Sequence, residues 1–370
     1  MPEKFVVTAT PSMKSYAARV VEHLSKYPRF AADAGIIDGI DLLEIARFAD
    51  GEIEAVINAS IRGKDVVVFS SSARNEAGRG AAEAKIELYH AIDALKRSQA
   101  EKVIVFEPFM GSSRSDRTVR RSSVGLWVHF KTLISLGAGH IVTYQLHSDK
   151  SKSMLDPVVS EIDDIPALQL IQRYLCDVYI RDLATLENTV RGQWAFCSVD
   201  AGGEKLARGF ANAFGAPLVV AHKQRDYSRA NTIESINILS AEPLAGKVLW
   251  IVDDMVDTGG SVESLVRALA AHRPAEVNIA AVHALFSPPA SERLSALVAE
   301  KLLNRIVVSD TVYGPRPIEA EKDIPNLEVV PSSELSARII SNIVAKNPMN
   351  EVLEPFNAEK YLREPGLFNR

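Results

Sequence analysis

The sequence predicts an α/β protein of two similar domains, each a mostly parallel sheet flanked by helices. Three observations predict it. Short, β-branched apolar runs alternate with amphipathic stretches of helical period along most of the 370 residues. The runs are continuously apolar, as in strands covered on both faces, and such strands belong to parallel sheets. The length is also about two domains of ~150 residues each.

Taken in order, D-V-V-V-F at 65–69 is the first clear buried strand. A helix is expected at 83–99, with Leu88, Ile92 and Leu95 on one face. Strand 102–106, helix 124–136 and strand 140–146 follow. The second half repeats the rhythm, with strands at 194–199, 217–221, 248–254, 277–286 and 305–310. Helices at 204–214, 262–271 and 290–302 lie between them. The polar stretch 149–166, with Pro157 and Pro166, marks the break between halves. The expected domains are therefore 1–158 and 159–345. Residues 346–370, with three prolines and little periodicity, read as a tail.

Composition narrows the function. Lys and Arg number 42 against 47 Asp and Glu, a net charge of −5. No excess of cations is available to displace counterions from a nucleic acid, although a local site for a small anion is compatible with this balance. The two cysteines, Cys176 and Cys197, cannot build a disulfide framework or a Cys-based zinc site, and read as buried thiols of a reducing compartment. The opening M-P-E-K-F carries Glu3 and no long apolar core, unlike a secretory signal. Apolar runs such as 277–286, interrupted by Asn278 and His283, are too short to span a bilayer. A cytoplasmic protein with neither nucleic acid nor membrane as partner is expected.

The sharpest motif is V-L-W-I-V-D-D-M-V-D-T-G-G-S-V at 248–262. An apolar strand runs into Asp253 and Asp254, then Asp257, Thr258, Gly259, Gly260 and Ser261, then a helix. Paired glycines let successive backbone N–H groups turn inward, and with the helix N-terminus they form a nest for a phosphate dianion. The hydroxyls of Thr258 and Ser261 add donors. Two carboxylates would repel phosphate but suit the vicinal hydroxyls of a sugar, so the motif asks for a ribose 5-phosphate group.

This segment resembles the phosphoribosyl-diphosphate loop shared by type I phosphoribosyltransferases and ribose-phosphate diphosphokinases, the phosphoribosyl pyrophosphate synthases. Further segments resemble the synthases. R-F-A-D-G-E at 47–52 is similar to their adenine-binding R-F-x-D-G-E, and P-F-M-G-S-S-R-S-D-R at 108–117 to P-Y-x-G-Y-A-R-Q-D-R. Leu146-His147 falls at their D-L-H, S-V-D-A-G-G at 198–203 at S-P-D-x-G-G, and His222-Lys223-Gln224-Arg225 at the K-R-R of a flexible catalytic loop. The similarity runs in unbroken order from about residue 45 to 343.

The resemblance implies type I phosphoribosyltransferase-like domains and transfer of a diphosphoryl group from Mg-ATP to the 1-hydroxyl of ribose 5-phosphate. It implies ATP contacts at Phe48, Asp50, Glu52, Arg114, Ser115, Asp116 and Arg117. Ribose 5-phosphate falls to Asp253, Asp254 and 257–261, catalysis to Lys223 and Arg225, and Mg2+ to His147 and Asp200. Arg229 extends the cationic lid. The resemblance also implies a homo-oligomer, often a hexamer in this family. Each residue has a plainer reading: Phe48 as core, Arg114 and Arg117 with Asp116 as a solvated ion pair, and Lys223 to Arg229 as a charged surface loop.

The match departs from the pattern at Ser112, Ser113 and Ser115, at Gln145 in place of the Asp of D-L-H, and at Gln224. Two rivals stand open: a non-catalytic regulatory relative, which the departures support, and a phosphoribosyltransferase acting on a nucleobase, against which the Phe48 and Lys223 segments argue. No P-loop, protein-kinase or G-x-G-x-x-G dinucleotide signature is present.

Overall fold

The computed structural model describes residues 5–31, 37–73, 75–118, 121–225, 233–312 and 324–364. The chain divides into two compact units, the first built mainly from Met1–Pro166 and Pro331–Val352, the second mainly from Ala167–Asp310 and Leu353–Arg370.

In the first unit the elements are β1 (Phe5–Ala9), α1 (Lys14–Ser25), β2 (Leu43–Arg47), β3 (Ile53–Ile57), β4 (Asp65–Phe69), α2 (Ala81–Arg97), β5 (Val103–Glu107), α3 (Gly125–Ser135), β6 (Ala138–Tyr144) and β7 (Glu161–Ile165). The main sheet has the order β1-β4-β5-β6-β7, with every neighbouring pair parallel. Strands β1, β4, β5 and β6 are largely apolar because both faces are covered, whereas the edge strand β7 carries Glu161, Asp163 and Asp164. Val66, Val68, Val103, Val105 and Ile141 pack with Leu88, Ile92 and Leu95 of α2 and Phe130 and Leu133 of α3. Other side chains of the same strands form an aromatic row, with Phe69 stacked on Phe106 at 4.7 Å and Tyr144 edge-on to Phe106 at 5.4 Å. β2 and β3 pair separately as an antiparallel hairpin.

The second unit contains α4 (Leu168–Leu175), β8 (Trp194–Ser198), α5 (Glu204–Phe214), β9 (Leu218–Arg225), β10 (Ile233–Ser240), β11 (Val248–Val256), α6 (Gly260–Ala270), β12 (Glu276–Ala284), α7 (Ala290–Ala299), β13 (Arg305–Ser309) and β14 (Leu327–Val330). Its seven strands run β10-β9-β8-β11-β12-β13-β14, and only β10 is antiparallel to its neighbour. From β8 the chain steps outward to β9. It then returns to place β11 on the other side of β8 and continues that way to β14. The strand order therefore reverses between β8 and β11, the place where open α/β sheets bind ligands at their carboxyl ends. The first sheet steps in one direction only.

The expected core strands and helices all form, with ends shifted by up to four residues. Besides elements that were not expected at all, such as β1, α1 and the β2–β3 hairpin, four features differ. β7 belongs to the first sheet, through its pairing with β6, so the first unit's leading segment runs to Pro166 and not to 158. Past β14, α8 (Ser333–Ala345) returns to the first unit, where the Tyr16 hydroxyl of α1 meets Ser332 at 2.8 Å and Ser336 at 2.7 Å. Within the expected tail, residues 356–361 pack on the second unit. Phe356 lies against Phe214, and the Tyr361 hydroxyl of α9 (Ala358–Arg363) donates to Asp177 in the second unit. Finally, β9 continues through Lys223 to Arg225, paired with β10, where a loop was expected from residue 222. Polar residues are at home in that outer ribbon, since His222, Asn237 and Ser240 are exposed.

Candidate functional site

The residues that suggested a sugar-phosphate site converge at the reversal of the second sheet. β8 and β11 are in register up to Ser198 and Val252. Two residues beyond that pair, the strands reach Asp200 and Asp254. Asp254 is buried, and its N–H donates to Asp253 Oδ1 at 2.9 Å. Burial pushes the Asp253 carboxyl well above the ordinary range, and the carboxylates of Asp254 and, more weakly, Asp200 push the same way. The three acids thus share one electrostatic neighbourhood. Asp200 Oδ1 accepts the N–H groups of Gly202 at 2.9 Å and Gly203 at 3.2 Å, which turns the chain into α5.

After β11, Asp257 and Thr258 lead to Gly259, whose φ of +75° is open to glycine and strained for other residues. Gly259 is the N-cap of α6 and supplies no side chain to its first N–H groups. That end of the helix therefore offers donors and the positive end of the dipole. The loop has an anchor that sequence reasoning missed. Arg293 of α7 donates from Nη1 to Thr258 O at 2.9 Å, and its Nε lies 3.3 Å from Glu263 of α6. A Cβ on Gly260 would stand 3.0 Å from Arg293 Nη1, so the second glycine keeps this approach open. No local motif announces Arg293, which lies 35 residues beyond Thr258.

The residues assigned to ATP stand on separate arms of the first unit. Phe48 follows β2 and is 53% exposed. Its N–H donates to Glu52 O at 2.9 Å, and Asp50 Oδ1 accepts the Glu52 N–H at 3.1 Å, which closes the turn into β3. Arg47 ties this hairpin to α2 through Glu83 at 2.7 Å and through the fully buried Glu87. Phe48 is therefore not a core residue.

Arg114 and Arg117 are exposed in the loop between β5 and α3, with Ser115 and Asp116 half-buried between them. Ser115 has local work, since its Oγ accepts the Gly125 N–H at 2.9 Å where α3 begins. His147 is exposed after β6. The preceding Gln145 adopts φ +44° and donates its N–H to Ile165 O, while the Leu146 N–H donates to Asp164 Oδ1.

Lys223, Gln224 and Arg225 lie within β9 by backbone; their side chains, and the lid residue Arg229, fall outside the described residues. Among the described residues no group of three or more His, Cys, Asp and Glu could hold a metal ion unaided. No described helix is long and apolar enough to cross a membrane.

Comparison with known proteins agrees with this layout. Residues 6–137 match the N-terminal domain of ribose phosphate pyrophosphokinase, and residues 159–308 match the phosphoribosyl transferase domain. A ribose-phosphate pyrophosphokinase of Corynebacterium efficiens is 32% identical, covering 83% of this chain and 86% of its own. Ribose-phosphate pyrophosphokinase 1 of Streptococcus pyogenes is 29% identical, over 93% of this chain and all of its own length. The crystal structure of phosphoribosylpyrophosphate synthetase from Mycobacterium smegmatis superposes with a TM-score of 0.76 at 25% identity, over 93% of this chain and all of that one.

Proposed function

Because the chain belongs to the ribose-phosphate pyrophosphokinase family, we propose that it makes 5-phosphoribosyl 1-diphosphate and AMP from ribose 5-phosphate and ATP. The observation that carries this reading is the meeting of Asp253 and Asp254 with an uncapped, glycine-entered helix N-terminus at the strand reversal of the second sheet.

Residues 257–261 hold the 5-phosphate through backbone N–H groups and the hydroxyls of Thr258 and Ser261. Asp253 and Asp254 accept the ribose hydroxyls and fix the 1-hydroxyl. Phe48 supplies a face for adenine, with Asp50 and Glu52 beside it. Arg114 and Arg117 grip polyphosphate oxygens as forks, and Ser115 and Asp116 complete that arm. The 1-hydroxyl oxygen attacks the β-phosphorus and gives up its proton to solvent water. The bond to the α-phosphate oxygen breaks, and AMP leaves in line. Lys223 and Arg225 offset the negative charge of the transferring group, so that catalysis is mainly positioning and electrostatics.

The donor set fits Mg2+, which takes one or two carboxylates and completes its shell with water and substrate phosphate. Asp200 offers a carboxylate beside two others, and His147 would act through water. When bound, the ion would neutralise charge on the nucleotide's phosphates. The expected setting is the cytoplasm and the expected assembly a homo-oligomer, hexameric by family pattern.

The test is a product assay with purified protein, ribose 5-phosphate, ATP and Mg2+, separated by chromatography. AMP and phosphoribosyl diphosphate in equal amounts are expected. Binding of both substrates without AMP would sink the catalytic reading in favour of a regulatory relative.

A further inference from the structure

The first unit holds a polar cluster that this mechanism does not use. Glu107, the last residue of β5, is fully buried. One carboxylate oxygen accepts the Ser72 hydroxyl, and the other lies 2.6 Å from Nε2 of buried His129 on α3. Nδ1 of His129 lies 2.8 Å from the Tyr89 hydroxyl of α2. One turn earlier on α2, Lys85 Nζ donates to Ser112 Oγ at 2.7 Å. Burial lowers the pKa of Lys85, and the Glu107 carboxylate opposes that shift.

What this cluster holds is the root of the loop 108–117. A Cβ on Gly111 would come within 2.3 Å of Ser72 Cβ, so the loop backbone lies directly on the serine that Glu107 retains. The next residue, Ser112, has φ +69°, a conformation an L side chain adopts rarely and at a cost. The Lys85 ammonium clamps that residue's hydroxyl. Arg114 stands two residues further on.

We infer that Lys85 is a positioning residue for the nucleotide: by holding Ser112 in its left-handed conformation, it sets the path of the loop that presents Arg114 and Arg117 to the polyphosphate. This rests on the proposed assignment of that loop to ATP. Desolvating an ammonium and a carboxylate is unfavourable unless each is well partnered, and here the partners join α2, β5 and α3 to one loop.

The experiment compares steady-state kinetics of the wild type and Lys85→Met. The KM for Mg-ATP should rise about tenfold, with kcat and the KM for ribose 5-phosphate within about threefold of wild type. Adding Ser112→Gly should then restore much of the ATP affinity, because glycine adopts positive φ without strain. An unchanged ATP KM, or an equal rise for both substrates, overturns the inference. So does a rise that Ser112→Gly does not relieve, which would put the ammonium on the polyphosphate itself. If Lys85→Met fails to fold, Ser112→Ala removes the acceptor and is read by the same criteria. If the wild type makes no AMP, the proposed reaction fails and calorimetry with a non-hydrolysable ATP analogue reads the inference separately. Weaker binding to Lys85→Met supports it, while equal binding, or none to the wild type, overturns it.

Discussion

Gly259 shows how much one residue can decide. At φ +75° an alanine would carry about 1–2 kcal/mol of strain, relieved only by moving the loop that begins α6. Gly259→Ala should therefore raise the KM for ribose 5-phosphate at least about tenfold and leave the KM for ATP nearly unchanged. Equal shifts for both substrates would remove the loop from the sugar-phosphate site. Lys223→Ala should instead lower kcat by about two or more orders of magnitude, with binding of ribose 5-phosphate little affected, and an unchanged kcat would take Lys223 out of the mechanism. The motif at 253–261 could be read in the sequence because its residues are contiguous. Arg293 and Lys85 were not. Each acts on a loop reached only through a separate helix, and a lone basic residue in a helical stretch reads as solvated surface.

At the scale of elements, α2 anchors the β2–β3 hairpin. Glu87 is buried between Arg47 and Arg79, and its Oε2 finds no hydrogen-bond partner. Burial holds its carboxyl above the ordinary glutamate range, against the pull of Arg47 and Arg79. A raised acid stabilises the fold below its unfolded pKa of about 4.3. That contribution is lost as pH rises through the higher folded value. A neutral amide in its place would carry no such loss. Urea unfolding of Glu87→Gln and wild type should show the difference in stability moving in the variant's favour between about pH 4 and pH 7. Movement the other way would make ionised Glu87 a net stabiliser. Arg47→Met, which strips the buried acid of its nearest cation, should cost about 3 kcal/mol and weaken ATP binding, because the turn carrying Phe48 loses its tie to α2.

Strands β4, β5, β6, β8, β9, β11, β12 and β13 were readable from their apolar runs, whereas the buried β1, the polar β7 and the short β14 were not. The β2–β3 hairpin and β10 were not, since short or solvent-facing antiparallel strands carry too little apolar signal.

Across the whole molecule, the two free cysteines report on the second unit. Burial pushes the thiols of both Cys176 and Cys197 up to about 12. Near pH ~8 neither supplies much thiolate, and a thiol reagent must wait for the unit to open. Modification should be slow in native protein and should accelerate with urea in step with loss of tertiary signal. Rapid reaction of one equivalent per chain would locate an opening smaller than the unit. The boundary between units was legible only in part, because no local pattern in α8 says which sheet it will cover. Its partners, Tyr16 and Tyr144, are 320 and 192 residues away from Ser336.

The return of α8 also bears on how the protein is made. A ribosome adding about 5–20 residues per second delivers all five strands of the first sheet long before Ser332 leaves the tunnel. Ser332 follows Tyr16 by 316 residues, a delay of roughly 15–60 s. Through that interval the nascent first unit lacks the helix against which Tyr16 closes. A messenger cut short between residues 166 and 333 would yield a complete first sheet without α8, a product suited to chaperones and proteases and not to catalysis.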